Sequence, residues 1–161
     1  MTARCETSDA AGGVRDVRRL GVFGGTFDPI HVGHLIIAEE ARARIGLDRV
    51  LFVPAKLPPH KSRPAFAGGQ DRYWMIQVAI EDNACFEVSD IELNRDGPSF
   101  TVDTLRAIRS EYGPQAQLYF VMGTDSLCGL KAWHRPQEIL RLTRIAAISR
   151  PGFEVNWPVL E

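Results

Sequence analysis

The sequence predicts an α/β domain built on a doubly wound, parallel sheet. Three observations predict it. Short apolar runs, Leu20-Gly21-Val22-Phe23, Val50-Leu51-Phe52-Val53 and Leu118-Tyr119-Phe120-Val121-Met122, alternate with stretches of helical periodicity. The first two runs and the amphipathic stretch between them make a strand–helix–strand unit of about 35 residues, whose crossover is expected to be right-handed. Glycine and proline mark the boundaries, at Gly46, Pro54, Gly113-Pro114 and Gly123.

The totals suit one such domain. The 161 residues are 45% apolar and 24% charged, enough chain for a core of its own. A formal net charge of −1 gives no support for nucleic acid or a membrane as a bulk-charge partner. No apolar run approaches the roughly 18 residues that a membrane span needs. Cys5, Cys85 and Cys128 are odd in number, far apart and without a CxxC pair, which suits a reducing cytoplasm and argues against a disulfide framework. Residues 1–17 are expected to form a flexible tail, since Arg4, Glu6, Asp9 and Arg15 sit among small residues. Residues 18–161 form the domain.

In chain order, a strand is predicted at about 18–23 and a helix at about 31–45, closed by Gly46. Arg49–Val53 is a second buried strand, stopped by Pro54. A stiff basic loop follows, with Lys56, Pro58, Pro59, His60, Lys61 and Arg63. A helix over about 69–82 offers Tyr73, Ile76, Val78 and Ile80 as apolar surface, with Trp74 in its packing. Phe86–Val88 is a short strand, and Ile91-Glu92-Leu93 is read as another extended piece. A helix from about Thr101 carries Val102, Leu105 and Ile108 on one face. The Leu118–Met122 strand, a helix near Pro136–Leu142 and a strand at Arg144–Ile148 complete the series.

In a doubly wound sheet, ligands sit beyond the carboxyl ends of the strands, at the point where strand order reverses. Four predicted strand ends carry phosphate-compatible groups: Gly24–His34, Lys56–Arg63, Gly123-Thr124-Asp125 and Ser149-Arg150. The richest is Gly24-Gly25-Thr26-Phe27-Asp28-Pro29-Ile30-His31-Val32-Gly33-His34. Adjacent glycines allow close backbone approach to a ligand. The helix start behind them offers free N–H groups and a positive dipole end. His31 and His34 fall on nearly the same side of its first turn. Neither GxGxxG nor GxxxxGKS/T is present, which argues against a dehydrogenase or a P-loop kinase. A metal site on Asp28, His31 and His34 lacks a further strong ligand, so no protein-held metal is expected. Asp125 reads either as a helix N-cap or as a ligand for a ribose hydroxyl or a magnesium-bound phosphate. Trp133 reads as a core aromatic or as a platform for a ring. Ser99-Phe100-Thr101 reads as a helix cap, and Cys85 and Cys128 as small buried hydrophobes.

The segment Gly24–Leu35, GGTFDPIHVGHL, resembles the signature of bacterial nicotinate mononucleotide adenylyltransferases, within the nucleotidyltransferases that carry an HxGH motif. Pro58-Pro59-His60-Lys61, Pro98–Leu105, Gly123–Leu127, Trp133 and Ser149-Arg150-Pro151-Gly152 resemble further family segments, in order, over roughly residues 18–153. The resemblance implies a Rossmann-like nucleotidyltransferase fold. It implies transfer of the adenylyl group of ATP to nicotinate mononucleotide, with Mg²⁺ bound with ATP, giving nicotinate adenine dinucleotide and pyrophosphate. It places Gly24, Gly25, Thr26 and Phe27 along the nucleotides. His31, His34 and Lys61 are then catalytic, with both histidines on the ATP phosphates, and Asp125 contacts the nucleotides. Thr101 and His134 hold the nicotinate carboxylate through backbone N–H groups, and Trp133 stacks on the pyridine ring. Lys56, His60 and Arg150 complete the expected substrate-binding set. Family members continue to a further strand and an Ile-Ser-Ser-Thr-x-x-Arg type segment. None appears before Glu161, so the chain is read either as a fragment or truncated product or as a protein that has lost part of its ATP site. The missing elements would expose apolar sheet surface and invite self-association into a homo-oligomer. The alternatives are another adenylyltransferase of the same group, such as the phosphopantetheine enzyme, and a catalytically dead nucleotide-binding protein.

Overall fold

The computed structural model describes residues 17–59 and 65–149. Five strands alternate with helices: β1 (Arg19–Gly25), α1 (Val32–Ile45), β2 (Arg49–Pro54), α2 (Gly69–Ile80), β3 (Phe86–Val88), α3 (Thr101–Tyr112) and β4 (Gln117–Gly123). A short helix α4 (Thr124–Cys128), a 3₁₀ turn at Leu130–Ala132, α5 (Pro136–Leu142) and β5 (Arg144–Ile148) follow. The strands form one sheet in the order β3-β2-β1-β4-β5, every pair parallel. This is the expected doubly wound, Rossmann-like architecture, with the order reversing between β1 and β4.

Alternation along each strand builds the two faces. Leu20, Val22, Leu51, Val53, Leu118, Phe120 and Met122 pack against Val102, Leu105 and Ile108 of α3 and Ile139 of α5. Phe23, Val50, Phe52, Tyr119 and Val121 pack against Ile37, Ala38 and Ala41 of α1 and Ile76 and Ile80 of α2. Both faces of the sheet are therefore covered, and the site is left to its carboxyl edge.

Four local expectations are corrected. Ile91-Glu92-Leu93 lies in a turn, with Asn94 N–H donating to Asp90 O at 3.0 Å. Glu92 is buried there against Thr104, and that long-range contact overrides the apolar alternation. The inward stripe of α2 is Arg72, Ile76 and Ile80, so Trp74 and Val78 point to solvent. Cys128 is exposed, whereas Cys85 is buried as expected. Ser99 does not cap α3: Phe100 holds the N-cap position without a side-chain bond, and the Ser99 hydroxyl instead accepts the N–H groups of Lys56 and Leu57. The helix α4 and the 3₁₀ turn, five and three residues long, are too short to register as periodicity.

Candidate active site

A cleft of about 410 Å³ opens at the carboxyl ends of β1 and β4. Gly24, Gly25 and Thr26 form one wall; Thr101, Asp125, Trp133 and His134 are on the others. Seven of the residues expected at a nucleotide site are thus brought together, at the place where an open parallel sheet puts its ligands.

The glycine turn is held from behind. Phe27 has φ 49°, a left-handed conformation that costs a non-glycine residue roughly 1 kcal/mol. Its ring, 2% exposed, is packed at centroid distances of 5.4 Å from Phe23, 5.7 Å from Phe52 and 5.0 Å from His34, which fixes that conformation. Asp28 accepts the N–H groups of Phe66 (2.5 Å) and Ala67 (3.0 Å), so its carboxylate ties the turn to the segment leading into α2. Arg72, 2% exposed, donates to the carbonyls of Thr26 (2.7 Å), Ala55 (2.8 Å) and Ala67 (3.1 Å). Burial pushes its pKa below the ordinary guanidinium value, and the charge of Asp28 opposes that shift.

His31 and His34 meet at the start of α1. His31 is the N-cap residue, and its N–H donates to His34 Nδ1 at 3.2 Å. The rings stack at 3.8 Å and 25°. Gly33 makes room for this: a Cβ there would lie 3.1 Å from two atoms of the His31 ring. The pair stands beside the cleft, on the turn that continues from Thr26, rather than in its lining. An anion at this helix start would meet the rings and the dipole together.

The opposite wall is a polar network. The Thr104 hydroxyl donates to Glu92 Oε1 at 2.6 Å and accepts from Arg95 Nη2 at 3.0 Å. Glu92 lines the cleft and is 6% exposed. Burial pushes its pKa up, while hydrogen bonds from Thr104 and Ser99 and the charge of Arg95 pull the other way. Thr101 is the first residue of α3, where N–H groups lack a partner within the helix. Trp133 is half-buried, edge-on to Phe120 at 5.9 Å, which leaves part of the indole facing the cleft. The His134 ring stacks on Phe100 at 4.3 Å. Asp125 is exposed in the first turn of α4, and Gly123, not Asp125, is the cap. A Cβ on Gly123 would lie 2.4 Å from Asp125 Oδ1, so the glycine leaves that carboxylate its place.

Lys56 is not brought into the cleft by its side chain. Its ammonium donates to Arg95 O at 3.0 Å and lies 3.5 Å from Asp96. His60, Lys61 and Arg150 lie outside the described residues. Among the described residues, no group of three His, Cys, Asp or Glu side chains could hold a metal ion, and no helix is long and apolar enough to cross a membrane. Sequence reasoning missed Arg72 and Glu92. The signal for Arg72 was its spacing, four residues before Ile76 on the inward stripe; Glu92 gave none.

A family model described as cytidylyltransferase-like matches residues 22–161. The chain belongs to the cytidylyltransferase-like family. This member of the family is 45% identical over 137 residues to a protein of Desulfitobacterium hafniense (strain DSM 10664 / DCB-2) named "Probable nicotinate-nucleotide adenylyltransferase". That match covers 85% of the chain and 66% of the relative. A protein of the same name from Herpetosiphon aurantiacus is 42% identical over 144 residues, covering 89% of the chain and 72% of the relative. The chain thus spans about 66% of the D. hafniense relative's length. In fold, the cytidylyltransferase-like chain is similar to Plasmodium falciparum nicotinic acid mononucleotide adenylyltransferase complexed with NaAD. The TM-score is 0.66 at 18% identity, over 85% of this chain and 77% of the other.

Proposed function

We propose that the chain transfers the adenylyl group of ATP to nicotinate mononucleotide, forming nicotinate adenine dinucleotide and pyrophosphate in the cytoplasm. The observation that carries this reading is the meeting, in one cleft, of the glycine turn, a half-buried tryptophan and the N-terminus of α3. A phosphate-handling wall faces an aromatic surface and a helix start suited to a carboxylate. The relatives' names agree with it.

The chemistry requires no nucleophilic side chain. The mononucleotide phosphate, with a second pKa near ~6, is largely ionised at neutral pH and attacks the α-phosphorus of ATP in line. A new P–O bond forms there as the bond to the β-phosphate oxygen breaks, and pyrophosphate carries away the electron pair. The protein positions two anions that repel one another and neutralises charge on the transferred group. The backbone at Gly24, Gly25, Thr26 and Phe27 lies along the nucleotides in this reading. His31 and His34 meet the ATP phosphates, and Lys61 adds charge beside them. Trp133 stacks on the pyridine ring, and the N–H groups of Thr101 and His134 hold its carboxylate. Asp125 takes ribose hydroxyls. In this reading His60 and Arg150 complete the substrate-binding set. Lys56 contributes through its backbone, whose N–H holds the Ser99 hydroxyl at the cleft wall.

The donor set fits Mg²⁺ that arrives with ATP. Mg²⁺ takes oxygen ligands, keeps several waters and is usually held by one or two carboxylates together with substrate phosphates. Asp125 is the exposed carboxylate of the cleft that could meet such a hydrated ion. When bound, Mg²⁺ would offset the negative charge of the phosphates.

Pyrophosphate release from ATP, measured separately with nicotinate mononucleotide, nicotinamide mononucleotide and phosphopantetheine, tests the reading. The acid mononucleotide should be the preferred acceptor; preference for phosphopantetheine would place the chain with the other enzyme of the group. His34→Ala should lower turnover at least ~tenfold with the circular dichroism spectrum unchanged, the scale on which single charge-stabilising groups act. An unchanged rate would remove His34 from the catalytic set.

A further inference from the structure

Arg72 is not itself part of the cleft lining, yet it fixes two of the peptides that form it. Its Nη1 holds Thr26 O at 2.7 Å, its Nη2 holds Ala55 O at 2.8 Å, and its Nε holds Ala67 O at 3.1 Å. Thr26 and Ala55 both line the cleft. In a trans peptide the carbonyl and the following N–H point in opposite directions. The Thr26–Phe27 and Ala55–Lys56 peptides are both trans, since Asp28-Pro29 is the cis bond among the described residues. Drawing the Thr26 and Ala55 carbonyls toward Arg72 therefore turns the Phe27 and Lys56 N–H groups the other way. For Lys56 the result is visible: its N–H donates to the Ser99 hydroxyl, itself on the cleft wall. For Phe27, no backbone acceptor is found among the described residues.

We propose that Arg72 is a positioning residue: by gripping the Thr26 and Ala55 carbonyls from behind, it aims the Phe27 N–H at a phosphoryl or pyrophosphoryl oxygen of the bound nucleotide. The inference rests on the adenylyl-transfer reading for the identity of that nucleotide. The residue type matches the task. A guanidinium is a planar fork with five N–H donors and no acceptor, so it can hold several carbonyls in fixed directions. A lysine has three donors on a freely rotating point charge and cannot reproduce that fork. Asp28 braces the same assembly from the other side, since Ala67 gives its N–H to Asp28 and its carbonyl to Arg72. The left-handed Phe27, its ring locked among Phe23, Phe52 and His34, leaves the amide little freedom once the Thr26 carbonyl is held.

Loss of all three bonds in Arg72→Met endangers the fold, so Arg72→Lys carries the test. Turnover and KM are measured with ATP and nicotinate mononucleotide, below the thermal midpoint of each protein. In parallel, the Phe27 amide is followed by ¹⁵N NMR during titration with inorganic pyrophosphate. Arg72→Lys should lower kcat about tenfold while KM for the mononucleotide stays within about threefold, and should at least halve the pyrophosphate-induced shift of Phe27. A folded Arg72→Lys variant with wild-type kcat and a wild-type Phe27 shift would show that Arg72 only supports the fold. Absence of adenylyl transfer by the wild type would defeat the functional reading, but the titration would still judge Arg72. A wild-type Phe27 amide that ignores pyrophosphate overturns the inference whether or not the variant folds.

Discussion

At the scale of single residues, the site is governed by a few polar groups buried behind it. Glu92 is the carboxylic acid among them whose pKa is raised. Burial holds its carboxyl above the ordinary value of 4.5, and the bonds from Thr104 and Ser99 reduce but do not reverse the shift. Between the ordinary and the raised pKa, the folded protein keeps a proton that the unfolded chain has released. Stability therefore falls as pH rises through that window. Glu92→Gln keeps an oxygen for the Thr104 hydroxyl and removes the titration. Denaturant unfolding across about pH 4 to pH 8 should show the variant with a flatter profile and the greater stability at neutral pH. A variant whose pH dependence matched the wild type would remove Glu92 as its source. Arg72 and Glu92 were the residues hardest to see in advance. A lone arginine in a helix and a lone glutamate in a polar loop are usually solvated, and only the folded chain supplies their partners.

At the scale of elements, the start of α1 shows a side-chain arrangement held at the expense of the helix's own preferences. Gly33 occupies its second position, where alanine would favour the helix. The glycine is there because a Cβ would press on the His31 ring at 3.1 Å. Gly33→Ala should thus leave the thermal midpoint within about 3 °C of the wild type or raise it. Turnover should fall several-fold as His31 leaves its stack on His34. Calorimetry together with the pyrophosphate assay checks both, and unchanged turnover would contradict the account of the pair. The motif around Gly33 was legible because its glycines, histidines and helix boundary all have local causes. The turn at Ile91–Leu93 was not, because its cause is the Glu92–Thr104 bond across 12 residues. Trp74 was misplaced for a related reason: aromatic character suggested the core, whereas Arg72 had taken the inward position on α2.

At the scale of the whole molecule, five parallel strands with helices on both faces leave one edge for chemistry. That much follows from strand-length apolar runs separated by helical stretches, and the structure carries it in every strand pair. The gathering of Gly24–Thr26, Thr101 and Asp125 in one cleft was also legible, since each lies at a strand end or a helix start. Trp133 and His134, between the 3₁₀ turn and α5, were placed at the site by the family resemblance. The orientation of Lys56 was not, because its choice of the Arg95 carbonyl and Asp96 depends on how the loop before α3 folds back. The central claim is that this edge joins two nucleotides. Its most direct measurement supplies ATP labelled at the α-phosphate together with nicotinate mononucleotide and follows the label by chromatography and mass spectrometry. The account predicts that label appears in nicotinate adenine dinucleotide, with one pyrophosphate released for each dinucleotide formed. Label recovered only as AMP or ADP, or unchanged in ATP, would contradict it.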